Sequence, residues 1–272
     1  MEEILRDNAD RLETRDLTVR FAGRAVLDHI SADFQCGTMT AVIGSNGVGK
    51  TTYLKAIAGL IRAEGKVELC ENGVRRYQRK EIAYVPQLGA LQTRLTVFEM
   101  VLLGMVGNLK WHVRKEQLDQ VYRVLEELGI AEIADQPFHT LSGGQKQLVS
   151  MAQSFIGRPR VLLLDEPTSA LDLRHQLIVM DLAQRYTREQ NAVTVFVVHD
   201  LMLASRYGEY MVVLHDGKVF ARDKASNILN RELIETVYAV NSRVMRLPEG
   251  YQIVLPIRPL TDPGKQSVSG KD

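Results

Sequence analysis

The sequence predicts an α/β fold with a mostly parallel sheet, an N-terminal antiparallel β-subdomain and a helical insertion. Three observations carry this prediction. Apolar runs with almost no polar interruption, such as Met39–Ile43, Val161–Leu164 and Val193–Val198, read as strands buried on both faces, the usual pattern of parallel strands. Segments of helical spacing alternate with them, as in sheets covered by helices on both sides. The two earliest segments, Leu12–Phe21 and Val26–Phe34, instead alternate apolar with polar residues and are joined by the turn-prone Ala22-Gly23-Arg24.

The remaining elements follow in order. Met39–Ile43 runs into a glycine, as a buried strand does before a loop, and Thr51–Leu60 reads as a helix closed by Gly59 and by Gly65 beyond it. Lys66–Leu69 and Ile82–Val85 are further strands. From Gln87 to Gly143 the spacing turns helical: Val97, Val101 and Met105 recur on one face, and Leu118, Val121, Leu125 and Leu128 on another. A helix over Gln145–Ile156 precedes the strand Val161–Leu164, and a helix over Leu173–Gln184 precedes Val193–Val198. Met211–His215 and Lys218–Ala221 form a hairpin around Asp216-Gly217. Residues 1–86 and 160–260 are expected to form the core with its β-subdomain, and 87–159 the helical subdomain. Residues 261–272, rich in Gly, Ser, Lys and Pro, are expected to be a disordered tail.

Composition removes several function classes. With 34 Lys and Arg against 33 Asp and Glu, the net charge is +1, so there is no global basic footprint for nucleic acid. Cys36 and Cys70 lie far apart, in no metal-type spacing, and suit a reduced compartment. The acidic start lacks the apolar stretch of a secretory signal, and no run reaches the ~18 apolar residues of a membrane span. The chain therefore reads as soluble, meeting a membrane only through a partner.

Between the strand ending at Ile43 and the next helix stands Gly44-Ser45-Asn46-Gly47-Val48-Gly49-Lys50-Thr51, followed by Thr52. It fits G-x-x-x-x-G-K-[ST] in the strand–loop–helix context that the pattern requires, and it marks a P-loop NTPase (RecA-like) core. Glycines let successive amides face one concavity that takes phosphate oxygens, and the helix start adds its dipole. Lys50 supplies a mobile charge for the β- and γ-phosphates, and the Thr51 hydroxyl is a ligand for Mg²⁺. ATP and Mg²⁺ are the expected cofactors. The matching carboxylates stand at the end of Val161–Leu164: Asp165 to hold Mg²⁺ through water, and Glu166 to take a proton from the attacking water.

Leu141-Ser142-Gly143-Gly144-Gln145 precedes this strand end by about two dozen residues and resembles the LSGGQ signature of ABC-type ATPases. Ser142 and the glycines open a helix, so they offer a second anion-binding terminus. The resemblance implies that Ser142, Gly143, Gly144 and Gln145 act in trans on nucleotide held by a second copy, in a head-to-tail dimer with two ATP molecules sandwiched between the chains. It further implies that Gln87 reaches metal and attacking water, that Asp172 of Ser169-Ala170-Leu171-Asp172 signals across the dimer, and that His199 contacts the γ-phosphate. It places Phe21 on the adenine ring, where the family usually has tyrosine.

Leu171-Asp172-Leu173-Arg174-His175-Gln176, the short insertion and the ending around Val237-Tyr238 and Val254-Leu255-Pro256 are similar to the ATPases of iron–siderophore, haem and vitamin B12 importers. Two departures from that group stand out. Lys146–Gln153 lacks its usual arginines, and Gly104–Leu109 lacks its Gly-Arg pair. The implied partners are a polytopic permease and, indirectly, a periplasmic or surface substrate-binding protein, at the cytoplasmic face of the membrane. Leu88, Leu91, Leu95 and Val97 are expected to face that permease. An exporter ATPase, which is often fused to its membrane domain, carries the same motifs. A soluble ABC ATPase acting on ribosomes or DNA usually has tandem units or a coiled-coil insertion, neither of which occurs here.

Overall fold

In the computed structural model, residues 10–87, 93–108 and 113–260 are described. The alternating start of the chain forms β1 (Arg11–Phe21) and β2 (Arg24–Gln35), an antiparallel hairpin. Its two turn residues, Ala22 and Gly23, have φ of 48° and 81°, as a tight hairpin that follows strand twist demands. The apolar β3 (Met39–Ile43) leads through the glycine-rich loop to α1 (Lys50–Ile57). This helix stops three residues before the expected Leu60, because Gly59 turns the backbone to φ 64°. β4 (Glu64–Glu71) and β5 (Val74–Arg76), the latter not foreseen, complete an antiparallel sheet of order β2-β1-β4-β5.

β6 (Ile82–Val85) precedes the insertion, where α2 (Val97–Leu102) opens on a capping box formed by Thr96 and Glu99. Met105 was expected to continue this helix. It lies instead in a tight 3₁₀ turn, where Gly104 packs so close to the later helix over Gly143–Ile156 that a Cβ would sit 2.1 Å from the Gln153 carbonyl oxygen. α3 (Lys115–Glu127) and α4 (Gly143–Ile156) complete the insertion. Then come β7 (Val161–Asp165), α5 (Leu173–Glu189), β8 (Val193–Val197), α6 (Leu201–Tyr207), β9 (Tyr210–His215) and β10 (Lys218–Lys224). α7 (Ala225–Ile228), α8 (Arg231–Tyr238) and the hairpin of β11 (Val240–Arg246) and β12 (Gln252–Pro259) close the described chain.

The main sheet runs β10-β9-β3-β8-β7-β6, parallel from β9 to β6, with β10 as an antiparallel edge. Every residue of β3, β7 and β8 is buried, so side-chain alternation sorts them onto two cores. Leu162, Leu164 and Phe196 face the insertion, α4 and α5. Val161, Leu163, Val195 and Val197 face α1 and the antiparallel sheet, whose Leu12, Leu17, Ile30 and Phe34 join them.

Val97 and Leu95, expected to face a permease, pack against the core: Val97 is fully buried, and Leu95 packs beside it. Leu88, Leu91 and the expected tail at 261–272 lie outside the described residues.

On the antiparallel sheet Glu13 is buried and takes hydrogen bonds from Arg11 Nε (2.6 Å) and Arg15 Nη2 (2.6 Å). Burial opposes its ionisation, but these two guanidinium groups outweigh burial and hold the carboxyl below its ordinary value. Glu13→Gln is therefore expected to destabilise the fold by about 1–3 kcal/mol in urea unfolding at neutral pH. A depressed folded-state pKa gives stability that is present above the ordinary carboxyl range and lost as pH falls through it. The gap between variant and wild type should close on acidification.

Candidate active site

β3 delivers the chain to Gly44 and α1 collects it at Lys50. Between them the backbone bends through φ of 150° at Gly44, 78° at Gly47 and 109° at Gly49. A Cβ on Gly44 would lie 2.3 Å from the Leu214 carbonyl oxygen, and one on Gly49 would lie 2.8 Å from Leu27 Cδ2. The loop is thus pressed against β9 on one side and β2 on the other, and both places admit only glycine. Ser45, Asn46 and Gly47 reach toward solvent, while Val48 is buried beneath them. Thr51 and Thr52 stand half-buried in the first turn of α1. No acidic side chain occupies that first turn, so its dipole is left for an anion.

Lys50 is buried, and its Nζ donates to the carbonyl oxygens of Gly44 (2.8 Å) and Ser45 (2.9 Å). Burial pulls its pKa down, and the charges of Glu166 and Asp165 partly offset that. The cation is held inside the loop that it serves.

β7 and β6 end beside this loop. Thr51 Oγ1 donates to Asp165 Oδ1 (2.9 Å), and the Tyr84 hydroxyl donates to Asp165 Oδ2 (2.9 Å). Burial raises the Asp165 pKa against the two hydroxyl donors that lower it. Burial also raises the Tyr84 phenol, and the adjoining Asp165 charge adds to the shift, so Tyr84 stays a proton donor. Tyr84 was not foreseen as a site residue. Its signal was a phenol inside an otherwise apolar strand three residues before Gln87, since a buried tyrosine hydroxyl needs a partner.

Glu166 follows with φ of 50°, uncommon for a residue with a side chain, and its N–H donates to the Val197 carbonyl oxygen (3.0 Å). Strain of this kind tends to mark functional positions. Its two carboxylate oxygens have separate partners: Gln87 Nε2 donates to Oε2 (2.7 Å), and His199 Nε2 lies 2.5 Å from Oε1. Gln87 and His199 leave the sheet at the ends of β6 and β8, on either side of β7. Sheet order thus gathers three residues that the sequence separates widely.

Ser142 caps α4. Its hydroxyl accepts from the Gln145 N–H (3.3 Å), and its own N–H donates to Gln145 Oε1 (3.0 Å). Ser142 and Gly143 are exposed, and a Cβ on Gly144 would lie 2.9 Å from the Ala170 carbonyl oxygen. The structure therefore brings 142–145 against the 169–172 segment. Asp172 caps α5, accepting from the His175 N–H (2.9 Å), which lowers its pKa. Its side chain and that of neighbouring Leu173 are exposed. Phe21 stands at the hairpin tip opposite Arg24 and is 52% exposed. Among the described residues no cluster of three or more His, Cys, Asp or Glu forms a metal centre, and no helix is long and apolar enough to cross a membrane.

The model of the ABC transporter family matches residues 27–169. The chain is 34% identical over 244 residues to the achromobactin transport ATP-binding protein of Dickeya dadantii, covering 87% of this chain and 91% of that one. It is 34% identical over 251 residues to a hemin import ATP-binding protein of Mesorhizobium japonicum, covering 88% and 95%. Among solved structures, a metal-chelate type ABC transporter in an inward-facing conformation superposes with a TM-score of 0.77 at 27% identity, covering 92% of this chain and 98% of that one.

Proposed function

Since the chain belongs to the ABC transporter family as an ATP-binding, ATP-hydrolysing subunit, we propose that it powers a membrane importer of iron–siderophore or related metal chelates such as haem or cobalamin. The observation that carries the catalytic part of this reading is the convergence of Lys50, Thr51, Asp165, Glu166, Gln87 and His199 at adjoining strand ends. The import direction and the substrate class rest on relatives named for achromobactin transport and hemin import, and on a structural neighbour of the metal-chelate type.

The loop amides of 44–51 and the dipole of α1 receive the phosphates, and Lys50 moves from the Gly44 and Ser45 carbonyls onto their β- and γ-oxygens. Thr51 and Asp165 fit Mg²⁺: a hydroxyl and a buried carboxylate, both hard oxygen donors, already meet there, and Gln87 supplies a third group. When bound, the ion neutralises charge that develops on the phosphates. Glu166 takes the proton of the attacking water. His199 and Gln87, which hold its two oxygens, would be the groups to meet the γ-phosphate and the metal with its water.

Ser142 and Gly143 are exposed at the terminus of α4, as a contact with a second copy requires, and they match the family signature that acts in trans. Ser142, Gly143, Gly144 and Gln145 therefore close over nucleotide held by a second copy, and Asp172 faces that copy beside them. Closing and reopening this dimer moves a polytopic permease, with the chain at the cytoplasmic face of the membrane.

Reconstitution in liposomes with a metal-chelate permease and its substrate-binding protein tests this reading. ATP-dependent uptake of an iron chelate is the expected result. ATP turnover indifferent to the permease, or ATP-driven efflux, would overturn it, and efflux would favour an exporter.

A further inference from the structure

We propose that Tyr84 is a positioning residue for the divalent-cation site: its hydroxyl fixes one oxygen of Asp165 so that the other is presented, together with Thr51, to the metal. This rests on the reading above that Thr51 and Asp165 hold Mg²⁺ with the nucleotide.

β6 and β7 pair in parallel with Tyr84 opposite Leu163. Side chains alternate along β7, so Leu163 and Asp165 share the face toward α1, and Tyr84 packs on that same face. A diagonal neighbour across two strands is within reach of a long aromatic side chain, and the phenol spans that diagonal to Oδ2 at 2.9 Å. No shorter side chain at position 84 would reach.

The carboxylate needs this second hold. The terminal torsion of an aspartate is broad, so a single hydrogen bond does not fix the plane of the group. Asp165 is 1% exposed, and water does little to orient it. Thr51 engages Oδ1 from the loop side and Tyr84 engages Oδ2 from the sheet side, one donor to each oxygen. Both donors are neutral hydroxyls. They orient the carboxylate without cancelling its charge, which is what a cation site requires, whereas an arginine in place of Tyr84 would neutralise it. Two residues past the end of β6 the arrangement recurs: Gln87 donates to Glu166 as Tyr84 donates to Asp165. The end of β6 thus orients both carboxylates at the end of β7.

The test uses the Glu166→Gln chain, in which turnover is blocked, and follows Mn²⁺ binding in the presence of ATP by electron paramagnetic resonance. Adding Tyr84→Phe is expected to weaken Mn²⁺ by roughly 10-fold, the size typical of a lost partner behind a metal ligand. ATP binding in EDTA should be unchanged. Asp165→Asn should lose the metal more completely, and Tyr84→Phe should then have no further effect, as a double-mutant cycle requires when one residue acts through the other. Unchanged Mn²⁺ affinity in Tyr84→Phe beside a loss in Asp165→Asn would overturn the proposal and leave the cation site standing. Unchanged affinity in both would remove the cation site itself. An equal loss of metal-free ATP binding in Tyr84→Phe would show a general packing defect, and that too would overturn the proposal.

Discussion

Replacing Glu166 with Gln is expected to cut ATP turnover by roughly 10²–10⁴-fold, the range for loss of a positioned general base, with ATP affinity nearly unchanged. The substitution keeps the shape of the side chain and one carbonyl oxygen, so the contacts that orient it from Gln87 and His199 have a near-isosteric group to meet. What it removes is the capacity to accept a proton. Among the described residues it is Asp165, not Glu166, that is hydrogen-bonded to Thr51 of the loop proposed to bind the phosphates. Phosphate release and calorimetric ATP binding, measured on the same preparation, separate the two effects. Turnover at the wild-type rate would remove Glu166 from the chemistry.

Lys50→Met should act on binding instead. The ammonium is the one positive side chain inside the loop, and hydrogen bonds to charged groups are worth ~1.5–3 kcal/mol each, so losing it should weaken ATP by roughly 10–150-fold. AMP, which lacks the β- and γ-phosphates, should lose far less. Folding should be little changed, because the hydrogen bonds that Nζ donates among the described residues go to the carbonyls of Gly44 and Ser45, and Ser45 is open enough for water to replace it. Equal losses for ATP and AMP would argue that Lys50 shapes the loop and does not grip the phosphates.

Much of this was readable before any coordinates. Strands buried on both faces and the glycine-rich loop leave strong local signals, and β3, β7 and β8 lie within a residue or so of their expected limits. The close approach that excludes a Cβ at Gly44 accords with the glycine required by the phosphate-loop pattern. Elements set by tertiary packing were less legible. β5 is three residues long, and it exists because β4 offers it an edge. Val97 carries the same apolar signal whether it packs inward or awaits a partner, and periodicity could not tell which. The hydrogen bonds from Gln87 and His199 to Glu166 depend on strand order, which residue spacing does not reveal. Tyr84 escaped for a related reason: its partner lies 81 residues away on the neighbouring strand.

On the proposed reading, the glycine-rich loop and its carboxylates make half a site, and the exposed cap at Ser142 is the half that serves another copy. The mass of the Glu166→Gln chain in solution, measured by light scattering with and without MgATP, tests this most directly. Nucleotide should double the mass, and Ser142→Arg, which crowds the terminus of α4 without touching the loop, should hold the chain at the monomer mass with ATP still bound. A Glu166→Gln chain that stays monomeric while saturated with MgATP would contradict the account.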